Sequence, residues 1–321
     1  MKPHTMLLLI NAALALTPPA AAQNYPSKPI TLVVPFAPGG VTDIMARIAA
    51  KRINAQSGQP VVVENRPGAS GNIGIRSVAR AVPDGYTLGL VTSNLLITNP
   101  SFFADAGFDP VNDLIPVGAI GQFPQLLVTN EQVPAKTLRE FIDLAKASPD
   151  KMSYGSAGRG STSYLAVHTF AFLAGIKLTH VPYRGMAPAL LDLLAGRLQI
   201  FGAGLAVVND HLPSGGLRVL AVGGPERIPQ LPDVPTGEQA GVAGYESNSW
   251  SGIVVPKNAP REIITRLNGY LASIAADPDA RKQLENVFVN PMSTTPEQLA
   301  KTILHEKEAW DRLRSSGIDL N

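Results

Sequence analysis

PFAPGGVTD, residues 35–43, is where a buried strand ends, the backbone is laid bare and a helix begins. Upstream, Ile30, Thr31, Leu32, Val33 and Val34 form a short β-branched, apolar run suited to a parallel sheet covered on both faces. Downstream, Val41, Ile44, Met45, Ile48, Ala49 and Ile53 recur at helical spacing and predict a helix over 41–54. Pro35, Pro38, Gly39 and Gly40 lie between them. Such a turn points unpaired N–H groups outward from the positive end of a helix dipole, and glycine lets a ligand approach without meeting a Cβ. The expected occupant is an anionic or carbonyl oxygen.

Outward from this turn, a second strand is predicted at 60–64, a helix at 71–81 and a third strand at 86–91 that ends in the polar loop Thr92-Ser93-Asn94. That order is β-α-β-α-β, half of a doubly wound sheet. Beyond a Pro- and Asp-rich connection, strands at 117–120 and 126–129 precede a second α/β unit. Its parts are a helix at 137–147, a strand at 152–154, helices at 162–174 and 186–196, and strands at 178–181 and 198–201. A strand at 217–222 leads out, followed by a strand at 253–255 and helices near 260–276, 279–286 and 296–315. The architecture this predicts is two α/β lobes, one formed by 23–122 with 223–321 and the other, 123–222, inserted into it.

The second unit carries its own glycine-rich strand-to-helix turn, GSAGRGSTS at 155–163. Open α/β sheets bind ligands at the carboxyl ends of their strands, so two such turns facing each other would make a clamp. The spacing of Gly155, Gly160 and Ser161 is P-loop-like, but the phosphate-neutralising lysine is missing. A backbone cradle for a smaller group fits better. GASGNIG, 68–74, misses the dinucleotide fingerprint by one residue and reads as a helix-opening turn.

Composition narrows the function classes. The chain has 321 residues, 45% of them hydrophobic, enough for a sizeable core. A formal net charge of +2 with scattered cations offers no basic stripe for nucleic acid. Lys2, an apolar run over 6–16 and small residues at Ala20 and Ala22 read as a signal peptide, residues 1–22, cleaved after Ala22. With no cysteine, disulfides, thiolate chemistry and Cys-ligated metal are excluded. Neither H-x-x-x-H nor H-E-x-x-H occurs, so no metal is expected, and no other cofactor. No G-x-S-x-G elbow appears: Tyr154 stands where Ser156 would need a glycine, and Asn72 does the same for Ser70. No catalytic residue is assigned. Asp43 has two readings, a compensator of the helix dipole or an acceptor for a ligand donor. Of the aromatics near the turns, Phe36 and Tyr164 are placed to reach a ligand.

Seven stretches then resemble one family in order: YPSKPITLVVPFAPGGVTDIMAR (25–47), VVVENRPGASGNIG (61–74), PDGYTLGL (83–90), YGSAGRGST (154–162), HVPYRGMAPALLDLLAG (180–196), LPDVPTGEQAG (231–241) and WSGIVVP (250–256). The chain is similar to the Bug family, the periplasmic solute receptors of tripartite tricarboxylate transporters. The resemblance implies an α/β, class II periplasmic-binding-protein fold, two doubly wound lobes closing on a small carboxylate, and a periplasmic location. By that match Phe36, Ala37, Gly39, Gly40 and Asp43 of the first turn and Ser156, Ala157, Gly160, Ser161 and Thr162 of the second would hold the ligand, with Thr92 and Ser93 facing the cleft and Tyr164 beside it. Membrane permease subunits, or a membrane sensor, would be the partners of a monomeric receptor. A secreted serine/histidine enzyme acting on a small organic acid is the alternative, requiring His168 or His180 within reach of Ser156 or Ser161. The chain departs from the family pattern at Ser70, usually glycine, and at Tyr164, Gln199 and Ala203, usually polar or acidic. These departures suggest a less charged or aromatic ligand.

Overall fold

The computed structural model describes residues 25–103, 106–149, 151–183 and 185–318, so the signal-peptide reading lies outside the described residues. Its strands are β1 (Ile30–Val34), β2 (Val61–Asn65), β3 (Thr87–Thr92), β4 (Leu114–Asn130), β5 (Ser153–Ser156), β6 (Thr179–Pro182), β7 (Ile200–Gly204), β8 (Leu217–Val222), β9 (Asn248–Pro256) and β10 (Asn290–Pro291). Helices α1 (Val41–Ser57), α2 (Asn72–Ala79), α3 (Ser93–Ile97) and α4 (Asn99–Phe102) precede β4. Helices α5 (Leu138–Ala147), α6 (Thr162–Ala174), α7 (Met186–Leu194) and α8 (Leu205–Val208) follow it. Helices α9 (Arg261–Ala276), α10 (Pro278–Glu285) and α11 (Pro296–Ser315) close the chain.

The strands run β2-β1-β3-β9-β4-β7-β5-β6, with β8 and β10 also pairing to β4. β1 is parallel to β2 and β3, as its apolar run predicts, and β5 is parallel to β6 and β7. On the first half of the sheet α1 and α9 cover one face and α2, α3 and α11 the other, each over its own apolar cluster. The second half repeats this, with α5 and α6 on one face and α7 on the other. The doubly wound expectation holds in both halves.

The reading of the strands around residue 122 is corrected. The strands expected at 117–120 and 126–129 are a single strand, β4, whose first part pairs with β9 through Pro124 and whose second part pairs with β7 and β8 from Gln125 onward. Gly118, Gly121 and Pro124 interrupt the apolar pattern and made it read as two. Where the pairing changes hands, Gln125 N donates to Ser247 O (2.8 Å), Ser247 N to Gly223 O (2.7 Å) and Gly223 N to Gln125 O (2.7 Å). A Cβ on Gly223 would lie 2.8 Å from both Gln125 O and Ser247 O, so only glycine closes this ring. Three chain crossings are thus stapled together between the halves of the sheet.

Candidate functional site

The first turn is shaped by Asp43. Its carboxylate is buried and accepts four hydrogen bonds, from Gly39 N (3.0 Å), Arg47 Nε (2.9 Å), Arg47 Nη2 (3.2 Å) and Asn65 Nδ2 (2.9 Å). Burial opposes its ionisation, but the bonds from Arg47, Gly39 and Asn65 win and hold the carboxyl below the ordinary range. Asn65 Nδ2 also donates to Phe36 O (3.0 Å), tying the end of β2 to the turn. Because Gly39, Arg47 and Asn65 already occupy its oxygens, Asp43 ties the turn to α1 and to the end of β2 instead of facing outward.

What faces outward is backbone. Ala37, Pro38, Gly39 and Gly40 are exposed, and α1 has no side-chain cap. The N–H groups of Ala37, Gly40, Val41 and Thr42 make no hydrogen bond among the described residues. A Cβ built on Gly39 or Gly40 meets nothing within 4 Å, so the turn is open on the side these glycines present. Phe36 is half-buried and packs against the apolar cluster that α2, α3 and α11 cover.

The second turn is organised differently. Ser161 caps α6 by accepting from Tyr164 N (3.2 Å), Ser163 Oγ accepts from Ala157 N (3.0 Å) and Ser156 Oγ accepts from Gly158 N (3.0 Å). Several of its amides therefore have partners within the turn, unlike those of the first. Ser156 is fully buried and its Oγ lies 2.7 Å from His180 Nε2. Burial, then His168 and Arg159, push the His180 imidazole down to about 4, so it is neutral at pH 7. Tyr164 does not reach open space. It is buried, stacked on His168 (4.7 Å between centroids) and edge-on to Phe102 and His180. Gln199 Oε1 accepts from Ser153 N (2.8 Å), and Ala203 is fully buried. Tyr164 and Ala203 are interior packing and Gln199 is engaged with Ser153 of β5, which removes the reason to infer a less charged or aromatic ligand from them. Ser70 sits at φ 52°, a left-handed conformation that suits glycine.

Thr92 and Ser93 open the short helix α3 where a loop was expected, since their backbone turns directly from β3 into a helical run of buried Leu95, Leu96 and Ile97. This brings into play Asn94, which the sequence placed in the polar loop after β3 without giving it a role of its own. Asn94 accepts from Thr92 Oγ1 (2.7 Å) and donates through Nδ2 to Gly160 O (3.1 Å), joining the end of β3 to the second turn. Asn99 lies alongside, donating to Ser70 O (3.1 Å) and Asn72 Oδ1 (3.3 Å), while Asn72 Nδ2 and Asn99 Oδ1 are buried without a partner. Arg159 was also missed; it places a cation on the second turn that His180 and Tyr154 both feel. Three asparagines in the first turns of short helices, Asn72, Asn94 and Asn99, were the available signal. Ser93 and Thr162 line a cavity of about 390 Å³ that none of the other predicted residues borders. Among the described residues, no group of acidic and histidine side chains could hold a metal ion.

Residues 45–316 match the family model described as tripartite tricarboxylate transporter family receptor. Among solved structures, R. palustris Rpa4515 with adipate superposes at a TM-score of 0.83, with 35% identity over 91% of this chain and 97% of that one. Periplasmic binding protein BugD gives a TM-score of 0.80 and 32% identity over 92% of this chain and 99% of the other. MatC from Rhodopseudomonas palustris with bound malate gives 0.81 and 30% identity over 90% and 99%.

Proposed function

Since the chain belongs to the tripartite tricarboxylate transporter receptor family, we propose that it is an exported, non-catalytic receptor that encloses one small dicarboxylate and presents it to membrane permease subunits. In this reading 23–122 with 223–321 is one lobe, 123–222 is the other, and the ring of Gln125, Gly223 and Ser247 is the hinge between them. The observation that carries it is the row of unbonded amides at the head of α1, in a turn that is open on the side its glycines present. Four N–H groups and a helix dipole are suited to a carboxylate's oxygens. Arg159 supplies a cation on the opposing turn, and structures of the same fold hold adipate and malate.

A second reading is favoured by the 2.7 Å contact between Ser156 Oγ and His180 Nε2, which meets the distance requirement for a serine/histidine enzyme. Three features weigh against it. Ser156 has no exposed surface, its Oγ is engaged with Gly158, and the groups acting on His180 are burial and two cationic or basic neighbours, not an orienting carboxylate. An imidazole at about 4 is a weak base. The pair is better suited to fixing the second turn on β6.

A thermal-shift series with adipate, malate, citrate and benzoate, on protein unfolded and refolded to remove copurified ligand, tests the receptor reading. At least one dicarboxylate should raise the melting temperature in a saturable way. Gly40→Val should abolish that shift at no more than a small cost to the unliganded melting temperature, because Gly40 has φ −80° and an open Cβ direction but is the N-cap of α1, a place valine suits less well than glycine. A wild-type protein indifferent to every acid would sink the proposal.

A further inference from the structure

The 390 Å³ cavity touches the second glycine-rich turn only at Thr162 and does not border the first, lying between α3 and α11 on one side and α6 with the segment after residue 243 on the other. Its size is that of a site for a small molecule. Its chemistry is the opposite of the carboxylate seat. The lining includes two carboxylates, Glu246 and Glu306, and no lysine, arginine or histidine. Glu306 is half-buried on the inner face of α11, where Trp250 Nε1 donates to both of its oxygens (3.0 and 3.1 Å). That neutral donor is its one hydrogen-bond partner among the described residues. Burial raises its carboxyl to about 7, against the effect of the Trp250 bond and helped by Glu246. The neighbouring Lys307 does not compensate it, being paired with Asp311 at 2.6 Å.

A carboxylate withdrawn from water without a cation is costly, and proteins ordinarily pair such groups. Two further groups point the same way. Ser93 and Ser249 line the cavity, are more than nine-tenths buried as residues, and have hydroxyls that make no hydrogen bond to the described protein but stay open to the cavity. A hydroxyl left in this state is satisfied by whatever enters.

We propose that this cavity is a second ligand site and that it takes a small alkylammonium ion, whose N–H groups bond to the Glu306 carboxylate and to the Ser93 and Ser249 oxygens. An ammonium has three donors and no acceptor, which matches a carboxylate backed by hydroxyls. Trp310 and Leu165 in the wall accommodate the alkyl part. The proposal does not depend on the carboxylate reading, since Ser93 and Thr162 alone of the residues assigned to the carboxylate border this cavity.

The test is calorimetric titration of the full mature protein with n-butylammonium and putrescine chlorides, against sodium chloride at matched ionic strength. Wild type should bind at least one amine and not sodium. Glu306→Gln keeps an acceptor for Trp250 and should weaken the amine by at least about tenfold, the scale of a charged hydrogen bond. Thr169→Trp, which fills the cavity from α6, should abolish amine binding without touching Glu306. Both variants should retain the wild-type response to adipate or malate. No amine binding to wild type up to about 10 mM, or amine binding unchanged in either folded variant, overturns the site. Loss of the dicarboxylate response in wild type with amine binding intact would instead count against the receptor reading alone.

Discussion

At the scale of single residues, the two readings of Asp43 are separated by its hydrogen bonds. A carboxylate facing a ligand would leave an oxygen lone pair toward the open side of the turn, whereas this one accepts from Gly39, Arg47 and Asn65. Asp43→Ala should therefore cost about 1–3 kcal/mol of stability at pH 7, the range for leaving buried donors unpaired. It should weaken simple diacids and amino acids alike. The pH dependence has a definite sign. The folded carboxyl lies below its unfolded value of about 3.9, so its contribution is present above that value and fades as pH falls through the folded one. Urea unfolding of both proteins from pH 7 to pH 2 should show a gap that is widest above about pH 4 and closes toward pH 2. A gap independent of pH would refute the assignment. Tyr164 shows the converse limit: its place beside the turn was legible, but the direction of its ring was set by His168, Phe102 and His180, which come from other parts of the chain.

At the scale of elements, both glycine-rich turns begin helices but solve the helix-start problem differently. α6 has a serine cap, and Ser161 Oγ also donates to Gly158 O at 2.6 Å, so its start is closed by side chains. α1 has neither and leaves its amides open. Ser161→Ala should cost about 0.5–2 kcal/mol and Ser161→Thr much less, as for other helix caps. Equilibrium unfolding of the two variants checks this, and an alanine variant as stable as wild type would show that Ser163 and the tertiary packing alone hold the turn. The elements were broadly legible: α11 spans Pro296–Ser315 as its pattern predicts, and the Pro-led start with a Thr295–Gln298 capping box explains why. β4 was not, because glycine and proline inside it mimic a loop while β9, distant in sequence, supplies the partner that keeps it extended.

At the scale of the molecule, the halves of the sheet meet through Asn94 and Asn99 against the second turn. Asn94 Nδ2 bonds Gly160 O, and Asn99 Oδ1 lies 2.9 Å from where a Cβ on Gly160 would sit. If these contacts favour the closed form, Asn94→Ala should shift the unliganded protein toward an open form, raise its radius of gyration by small-angle scattering and weaken a dicarboxylate by about 2- to 10-fold. Saturating ligand should restore the compact value. An unchanged radius of gyration and affinity would place closure elsewhere. By itself the sequence determined the two α/β units, the order of most elements and the two glycine-rich turns, because period and turn chemistry are local properties of a chain. Only the tertiary structure decided that Gln125, Gly223 and Ser247 form one ring, that Asp43 is held by Gly39, Arg47 and Asn65, and that Ser93, Ser249 and Glu306 share a cavity. Those relations join residues far apart in sequence through packing, and no local pattern records which distant groups packing will bring together.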